Sequence, residues 1–242
     1  MQAVILAGGL ATRLRPLTAH VPKAMLPIAG KPFLEHQMDL LRRCGIRDIV
    51  LCVGYLAGEI ERYFGDGANF GVQLAYSRES GRLLGTGGAL RRAKPLLAQD
   101  FVVLYGDSYL PLDYADLVRY ARNSGMPATM VVYRNQDRWD RSNVLVVGGQ
   151  VVLYSKTEPR SDMTYIDAGA TVLRKELLAM VPSHGPAGLD ALQQELARQG
   201  LLAAYESPER FHEIGSFAGL EELDRRLASA SASLPAHPTS AS

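Results

Sequence analysis

The chain has 242 residues and 47% hydrophobic content, enough to bury the core of one large α/β domain and too little for a second full one. Its 26 Lys+Arg against 25 Asp+Glu leave a formal net charge of +1, so no broad field attracts nucleic acid or a membrane surface, and neither is an expected partner. No apolar run approaches membrane-helix length, residues 1–7 lack the basic start and cleavage site of a signal peptide, and Cys44 and Cys52 stand isolated in apolar surroundings, so the expectation is a cytoplasmic protein without a disulfide framework or zinc site.

In chain order, Ala3-Val4-Ile5-Leu6-Ala7 is an unbroken apolar run, the pattern of a strand buried on both faces of a parallel sheet. It breaks at Gly8-Gly9, where the backbone can approach a ligand closely. Arg13 and Arg15 follow, two guanidinium forks suited to phosphates. Pro22-Lys23-Ala24-Met25-Leu26-Pro27 then sets another cation on a segment stiffened by two prolines. The P-loop ending Gly-Lys-Ser/Thr and the dinucleotide G-x-G-x-x-G are both absent.

Residues 32–44 read as a helix with Phe33, Leu34, Met38, Leu40 and Leu41 on its apolar stripe and Gly45 as C-cap. Asp48 to Val53 is a buried strand; Gly58 to Phe64 a helix with Ile60, Tyr63 and Phe64 inward; Val72 to Tyr76 a short strand. This β-α-β-α-β order predicts an α/β fold, a doubly wound, mostly parallel, Rossmann-like sheet with helices on both faces and ligands at the carboxyl ends of its strands. Leu84-Gly85-Thr86-Gly87-Gly88 precedes a helix running to about Leu97, a place for an anion or base contact or simply for a loop needing positive φ. Phe101 to Tyr105 is a buried strand ending in Gly106-Asp107-Ser108. Asp107 there is a hard-oxygen ligand facing the crevice or, taken alone, an N-cap.

A helix over 112–124 and a strand over 128–133 follow, then a polar stretch holding the single tryptophan, Trp139. Asn143 to Val147 and Gln150 to Tyr154 flank Gly148-Gly149 as a hairpin with a two-residue turn. A helix over 189–199, a strand over 201–205 and a closing helix over 217–228 complete the order. Residues 229–242, rich in Ser, Ala and Pro, read as a disordered tail.

Gly8-Gly9-Leu10-Ala11-Thr12-Arg13-Leu14-Arg15-Pro16-Leu17-Thr18 with Pro22-Lys23 resembles the signature of the sugar-1-phosphate nucleotidylyltransferases, which join a nucleoside triphosphate to a sugar 1-phosphate and release pyrophosphate. Ala11 departs from it, standing where the family usually has a third glycine. The resemblance covers residues 2 to about 228 and implies one nucleotidyltransferase domain. About 1–125 would form its nucleotide-binding half, and about 126–228 a small β-rich half that binds the sugar phosphate. With no long extension after 228, the β-helix of acetyltransferase-fused relatives is not expected.

The resemblance further implies roles. Leu6, Ala7, Gly8, Gly9, Thr12 and Arg13, with Gly85, Thr86 and Gly87, would bind the nucleotide. Arg13, Lys23 and Asp107 would be the catalytic set, with Mg²⁺ on Asp107 and Glu213. Glu213 in Phe211-His212-Glu213-Ile214-Gly215-Ser216 takes the place of the family's second acid. Lys156, in Ser155-Lys156-Thr157-Glu158-Pro159, takes the lysine of the usual Glu-Lys-Pro, or is a solvated surface lysine. Asp167 and Gly169, in Tyr165 to Leu173, match the segment that lines the sugar pocket, or mark an edge strand with a glycine bulge. Compact relatives using GTP with mannose- or heptose-type 1-phosphates fit best. Thymidylyl or uridylyl transfer from dTTP or UTP, a cytidylyltransferase acting on an alcohol phosphate, and a non-catalytic nucleotide-sugar-binding regulator are the alternatives. A homo-oligomer stays open.

Overall fold

The structure, a computed structural model, describes residues 1–81 and 83–232. The principal strands are β1 (Gln2–Ala7), β2 (Asp48–Val53), β3 (Gln73–Arg78), β4 (Asp100–Tyr105), β5 (Ala128–Arg134), β6 (Val144–Val147), β7 (Gln150–Tyr154), β8 (Tyr165–Arg174) and β9 (Leu202–Glu206). They form one nine-stranded sheet in the order β3-β2-β1-β4-β8-β5-β9-β7-β6. The helices are α1 (Phe33–Arg43), α2 (Ala57–Phe64), α3 (Gly85–Ala93), α4 (Tyr114–Asn123), α5 (Leu189–Arg198) and α6 (Phe217–Ala232).

Alternation along the strands decides which helices cover which face. Ala3, Ile5, Ile49 and Leu51 pack with Leu34 and Met38 of α1, Ile60 of α2 and Leu117 of α4. Val4, Val50, Cys52 and Val103 pack on the other face with Leu90 of α3 and Leu192 and Leu196 of α5. Each Val, Leu, Ile or Met among them taken out of water contributes about 1.5–3 kcal/mol. Both faces of the central strands are therefore apolar, which is why the sequence shows runs there rather than alternation. A smaller cluster of Ile28, Phe33, Ile214 and Leu223 ties α6 to the start of α1.

β3, β2, β1 and β4 are all parallel, with Val4 of β1 in register with Val50 on one side and Val103 on the other. Their carboxyl ends share one edge, so the loops after β1, β3 and β4 come together. Past β4 the sheet is mixed. β8 runs antiparallel to both β4 and β5, β9 is parallel to β5, and β7 and β6 close the edge as an antiparallel hairpin. The mostly parallel expectation thus holds across the first four strands, and beyond them β5 and β9 form the one parallel pair among the described strands. Tyr165 to Leu173 is also no edge strand: it is buried throughout and sits mid-sheet, because its apolar run needs cover on both faces.

The hairpin turn at Gly148-Gly149 has φ of 58° and 77°, as a two-residue primed turn requires. Gly85 to Gly88 form the first turn of α3 rather than a loop before it. Tyr63 points outward at 47% exposure and donates its hydroxyl to Glu35. α6 continues to Ala232, past the expected end at 228, and 233–242, the rest of the expected tail, lie outside the described residues. No helix among the described residues is long and apolar enough to cross a membrane.

Candidate functional site

A cavity of about 450 Å³ opens at the carboxyl ends of the four parallel strands. Its walls include Leu6, Ala7, Gly8, Gly9, Thr12 and Arg13 from the first strand and loop, Lys23, Gly85 and Thr86, and Asp107. The structure thus brings most of the residues singled out in the first half of the sequence to one place. Gly87, Lys156, Asp167, Gly169 and Glu213 are not on these walls.

The loop is held open by close backbone packing. A Cβ at Gly106 would stand 2.6 Å from the Leu6 carbonyl oxygen, to which the Gly106 N–H donates at 3.0 Å. Only glycine lets the chain after β4 approach β1 so closely. Ala11 takes φ 49° and ψ 41°, the left-handed region, where alanine costs about 1 kcal/mol. The Thr18 hydroxyl donates to the Ala11 carbonyl at 2.8 Å and holds that turn. Gly85, at φ 73°, lies against Ala187, where a Cβ would meet the carbonyl oxygen at 2.6 Å. The N–H groups of Gly87 and Gly88 donate to that oxygen at 2.8 and 3.1 Å, and the Thr86 hydroxyl accepts from the Leu189 N–H at 2.7 Å. Much of the Gly-Thr-Gly motif therefore locks α3 to α5, and its exposed part is Gly85-Thr86.

The charged pole of the cavity joins Lys23, Arg13 and Asp107. Lys23 Nζ donates to Asp107 Oδ2 at 2.7 Å, with the lysine side chain only 15% exposed. Gly215 packs beside both cations: a Cβ there would lie 3.7 Å from a terminal Arg13 nitrogen and from Lys23 Nζ. Arg13 has no ion pair among the described residues. Gln37, buried in α1, donates to the carbonyls of Tyr105 and Ser108, both at 2.8 Å, and so fixes the turn that carries Asp107. Sequence reading missed Gln37; a polar residue inside an apolar helix stripe was the available sign.

Glu213 reaches this pole from the segment between β9 and α6. Its segment pairs with Ser108-Tyr109, and the Ile214 N–H donates to the Asp107 carbonyl at 2.9 Å. Its carboxyl pKa is raised by partial burial and then by the Asp107 charge, against the opposing pull of Lys23 and Lys156. Two carboxylates that repel one another suit a hard divalent cation, and Mg²⁺ takes one or two carboxylates and completes its shell with phosphates and water. Among the described residues no group of three or more His, Cys, Asp or Glu is disposed to hold a metal ion.

Lys156 stands over the Tyr105 ring at 5.1 Å and 3.9 Å from Asp167 Oδ2. Asp167 is 7% exposed and accepts from the Gly169 N–H at 3.0 Å and the Tyr154 hydroxyl at 3.1 Å. Its carboxyl pKa is raised, because burial outweighs Lys156 and these hydrogen bonds. Asp190, at the start of α5, adds repulsion to Asp167 and helps push the Tyr105 and Tyr154 phenols up, after burial as the main cause. Gly169, at φ 86°, marks a register shift in β8 and packs on Ser108, where a Cβ would be 3.1 Å from the serine Cβ. Its small size serves contact with the Asp107 turn.

The profile described as nucleotidyl transferase matches residues 2–143. The chain is 36% identical over 199 residues to a UTP–glucose-1-phosphate uridylyltransferase of Synechocystis sp., across 76% of this chain and 51% of that protein. It is 35% identical over 188 residues to a mannose-1-phosphate guanylyltransferase of Mycobacterium tuberculosis, across 75% and 51%. The chain therefore spans about half the length of these curated relatives. The solved structure of HddC from Yersinia pseudotuberculosis complexed with GMP-PN matches with a TM-score of 0.76 at 25% identity, covering 93% of this chain and 99% of that one.

Proposed function

The chain belongs to the nucleotidyl transferase family, and from that premise we propose that it transfers a nucleoside monophosphate from a nucleoside triphosphate to a sugar 1-phosphate. The observation that carries this reading is the convergence of Lys23, Arg13 and Asp107 on a glycine-opened cavity at the ends of parallel strands. The finer reading is GTP with a mannose- or heptose-type 1-phosphate. The guanylyltransferase among the relatives and the GMP-PN complex of HddC support it. In this reading residues up to about 125 form a Rossmann-like nucleotide-binding half and the rest of the fold holds the sugar phosphate.

An oxygen of the sugar phosphate forms a bond to the α-phosphorus as the bond to the bridging oxygen breaks, and pyrophosphate leaves with the electron pair. Both reactants are anions, so the protein's work is positioning and charge neutralisation. The Gly8–Arg13 backbone and the Arg13 guanidinium bind the β- and γ-phosphates that depart. Lys23, leaving Asp107 for the ligand, holds the α-phosphate beside the incoming phosphate. Lys156 steadies the sugar phosphate from above Tyr105. Asp107 and Glu213 would hold Mg²⁺, which supplies further neutralisation of phosphate charge when bound. No side chain acts as a nucleophile. Pyrophosphate release from a panel of triphosphates crossed with sugar 1-phosphates tests the reading; silence across the panel would sink it.

A further inference from the structure

A second cavity, of about 140 Å³, lies at the opposite end of the sheet from the one described above. Its walls include Asp100 at the start of β4, Thr129 near the start of β5, Arg174 at the end of β8 and Arg122 in the last turn of α4. The six residues of β4 alone separate it from the charged pole, roughly 17 Å at the rise of an extended chain. None of the residues on its walls takes part in the proposed transfer.

Alternation along the strands explains why these side chains meet. Val102, Val131 and Val172 pack on the face that Leu117 and Val118 of α4 cover. Asp100, Thr129 and Arg174 each stand two residues from one of those valines, so they leave the sheet on that same face, beneath the end of α4. Arg174 is in register with Asp100, and Val172 with Thr129. Asp100 and Arg174 are thus cross-strand neighbours of opposite charge, yet they form no ion pair. Among the described residues neither they nor Arg122 has an ion pair or a side-chain hydrogen bond. Thr129 is 0% exposed, and its Oγ1 has no hydrogen-bond partner. A buried hydroxyl is unfavourable in that state, and a ligand that accepts from it recovers the loss.

We propose that this cavity binds inorganic phosphate. Two guanidinium groups supply charge and paired donors for a tetrahedral oxyanion. The Thr129 hydroxyl supplies a further donor from the buried side. Asp100 sets the selectivity. A carboxylate only accepts hydrogen bonds, so beside an anion it tolerates one that brings a hydrogen of its own. Inorganic phosphate keeps at least one P–OH at neutral pH. Sulfate has none, and a phosphate monoester, whose last proton leaves near a pH of about 6, has mostly lost its own. A space of about 140 Å³ takes such an ion with a few waters and is too small for a nucleotide. The proposal is independent of the transferase reading.

Calorimetric titration of inorganic phosphate, sulfate and glycerol 3-phosphate into the full chain at neutral pH tests it. Phosphate can also visit Arg13 and Lys23 in the larger cavity, so Arg13→Gln is run beside Arg174→Gln, Thr129→Val and Asp100→Asn. The wild type should bind phosphate about tenfold or more tightly than either other anion. Arg174→Gln should weaken phosphate about 10–100-fold, the loss of a charge-assisted contact, and Thr129→Val several-fold. Asp100→Asn, which can donate to an oxygen without a hydrogen, should bring sulfate to within a few-fold of phosphate. Arg13→Gln should leave this binding unchanged. A wild type that holds sulfate as tightly as phosphate would overturn the proposal. So would phosphate binding that survives Arg174→Gln and disappears in Arg13→Gln. The wild-type selectivity needs no variant, so poor folding of any one of them leaves a decision.

Discussion

The cavity wall and the cluster around Asp167, which lies off that wall, are built from different materials. The side built from residues before Asn123 is mostly backbone: glycines at 8, 9, 85 and 106 and the turn at Ala11, with a few fixed charges added. The side reached from Lys156, Asp167 and Glu213 is made of side chains from three separated segments, already engaged with one another. A polyphosphate is the same in every triphosphate, so main-chain donors and guanidinium forks suffice for it. In the proposed reaction the second cluster would meet the sugar, which is defined by where its hydroxyls point and so calls for side chains that vary. The contrast also separates open charges from spent ones: among the described residues Arg13 forms no ion pair, whereas Asp167 has its oxygens directed to Gly169, Tyr154 and Lys156.

The comparison is most easily broken at the charged pole. Lys23→Ala should lower kcat by about 10²–10³-fold, because a charge contact made in a closed site at the reacting phosphate is worth several kcal/mol. Asp107 would lose its 2.7 Å partner in that variant, so Lys23→Arg serves as the control that keeps a cation at the carboxylate. Steady-state pyrophosphate release is the measurement, and an alanine variant with near-normal turnover would remove Lys23 from the chemistry.

Lys156→Ala sharpens the division between the two sides. Its ammonium faces Tyr105 and Asp167 and helps offset the charge of Glu213. The expected result is a KM for sugar phosphate raised about 10–50-fold, the loss of one charge-assisted contact, with triphosphate affinity unchanged. An equal loss for both substrates would mean that the crevice is not divided as described.

The backbone side makes a prediction about stability rather than rate. Gly106→Ala drives a Cβ to 2.6 Å from the Leu6 carbonyl oxygen, an atom that cannot step aside, whereas an alanine at Gly9 meets nothing within 4 Å. The first should cost about 1–3 kcal/mol, as overpacking of a tight site does, and the second little. Thermal denaturation of the two variants side by side decides it, and equal midpoints would show that the close approach at Gly106 is not required.

How much of this could be read from the sequence follows the same division. Buried strands declare themselves as apolar runs, so β1, β2 and β4 and the site loops beyond them were legible, as was the Gly148-Gly149 hairpin. Strand direction was not. Whether Tyr165 to Leu173 runs parallel or antiparallel depends on long-range pairing with β4 and β5, which a one-dimensional pattern does not carry. Gly169 drew attention as a place for a sugar ring, yet its positive φ and contact with Ser108 are the needs of a bulge packed on the Asp107 turn. Gln37 and Asp190 were silent because a single polar residue has no periodicity. Their meaning lies in which distant strand end or helix they face.

The smallest expected effect concerns the spent charges. Asp167 is buried, and its carboxyl pKa is raised above the ordinary value despite Lys156 and two hydrogen bonds. The sign follows from linkage. A folded pKa above the unfolded one means the native state holds the proton longer, so the stability it contributes is complete below the unfolded pKa and is lost as pH rises through the folded one. Glu213, raised as well, has the same sign. Asp167→Asn keeps an acceptor for the Gly169 N–H and cannot ionise. Its stability relative to wild type should therefore improve as pH climbs from about 4 to neutrality, flattening the acid side of the profile without abolishing it, since Glu213 still titrates. Denaturant melts of both proteins across that range measure the difference. A constant offset at every pH would show that Lys156 and Tyr154 already compensate the buried charge in full, and that this side of the crevice is as electrostatically prepared as the other.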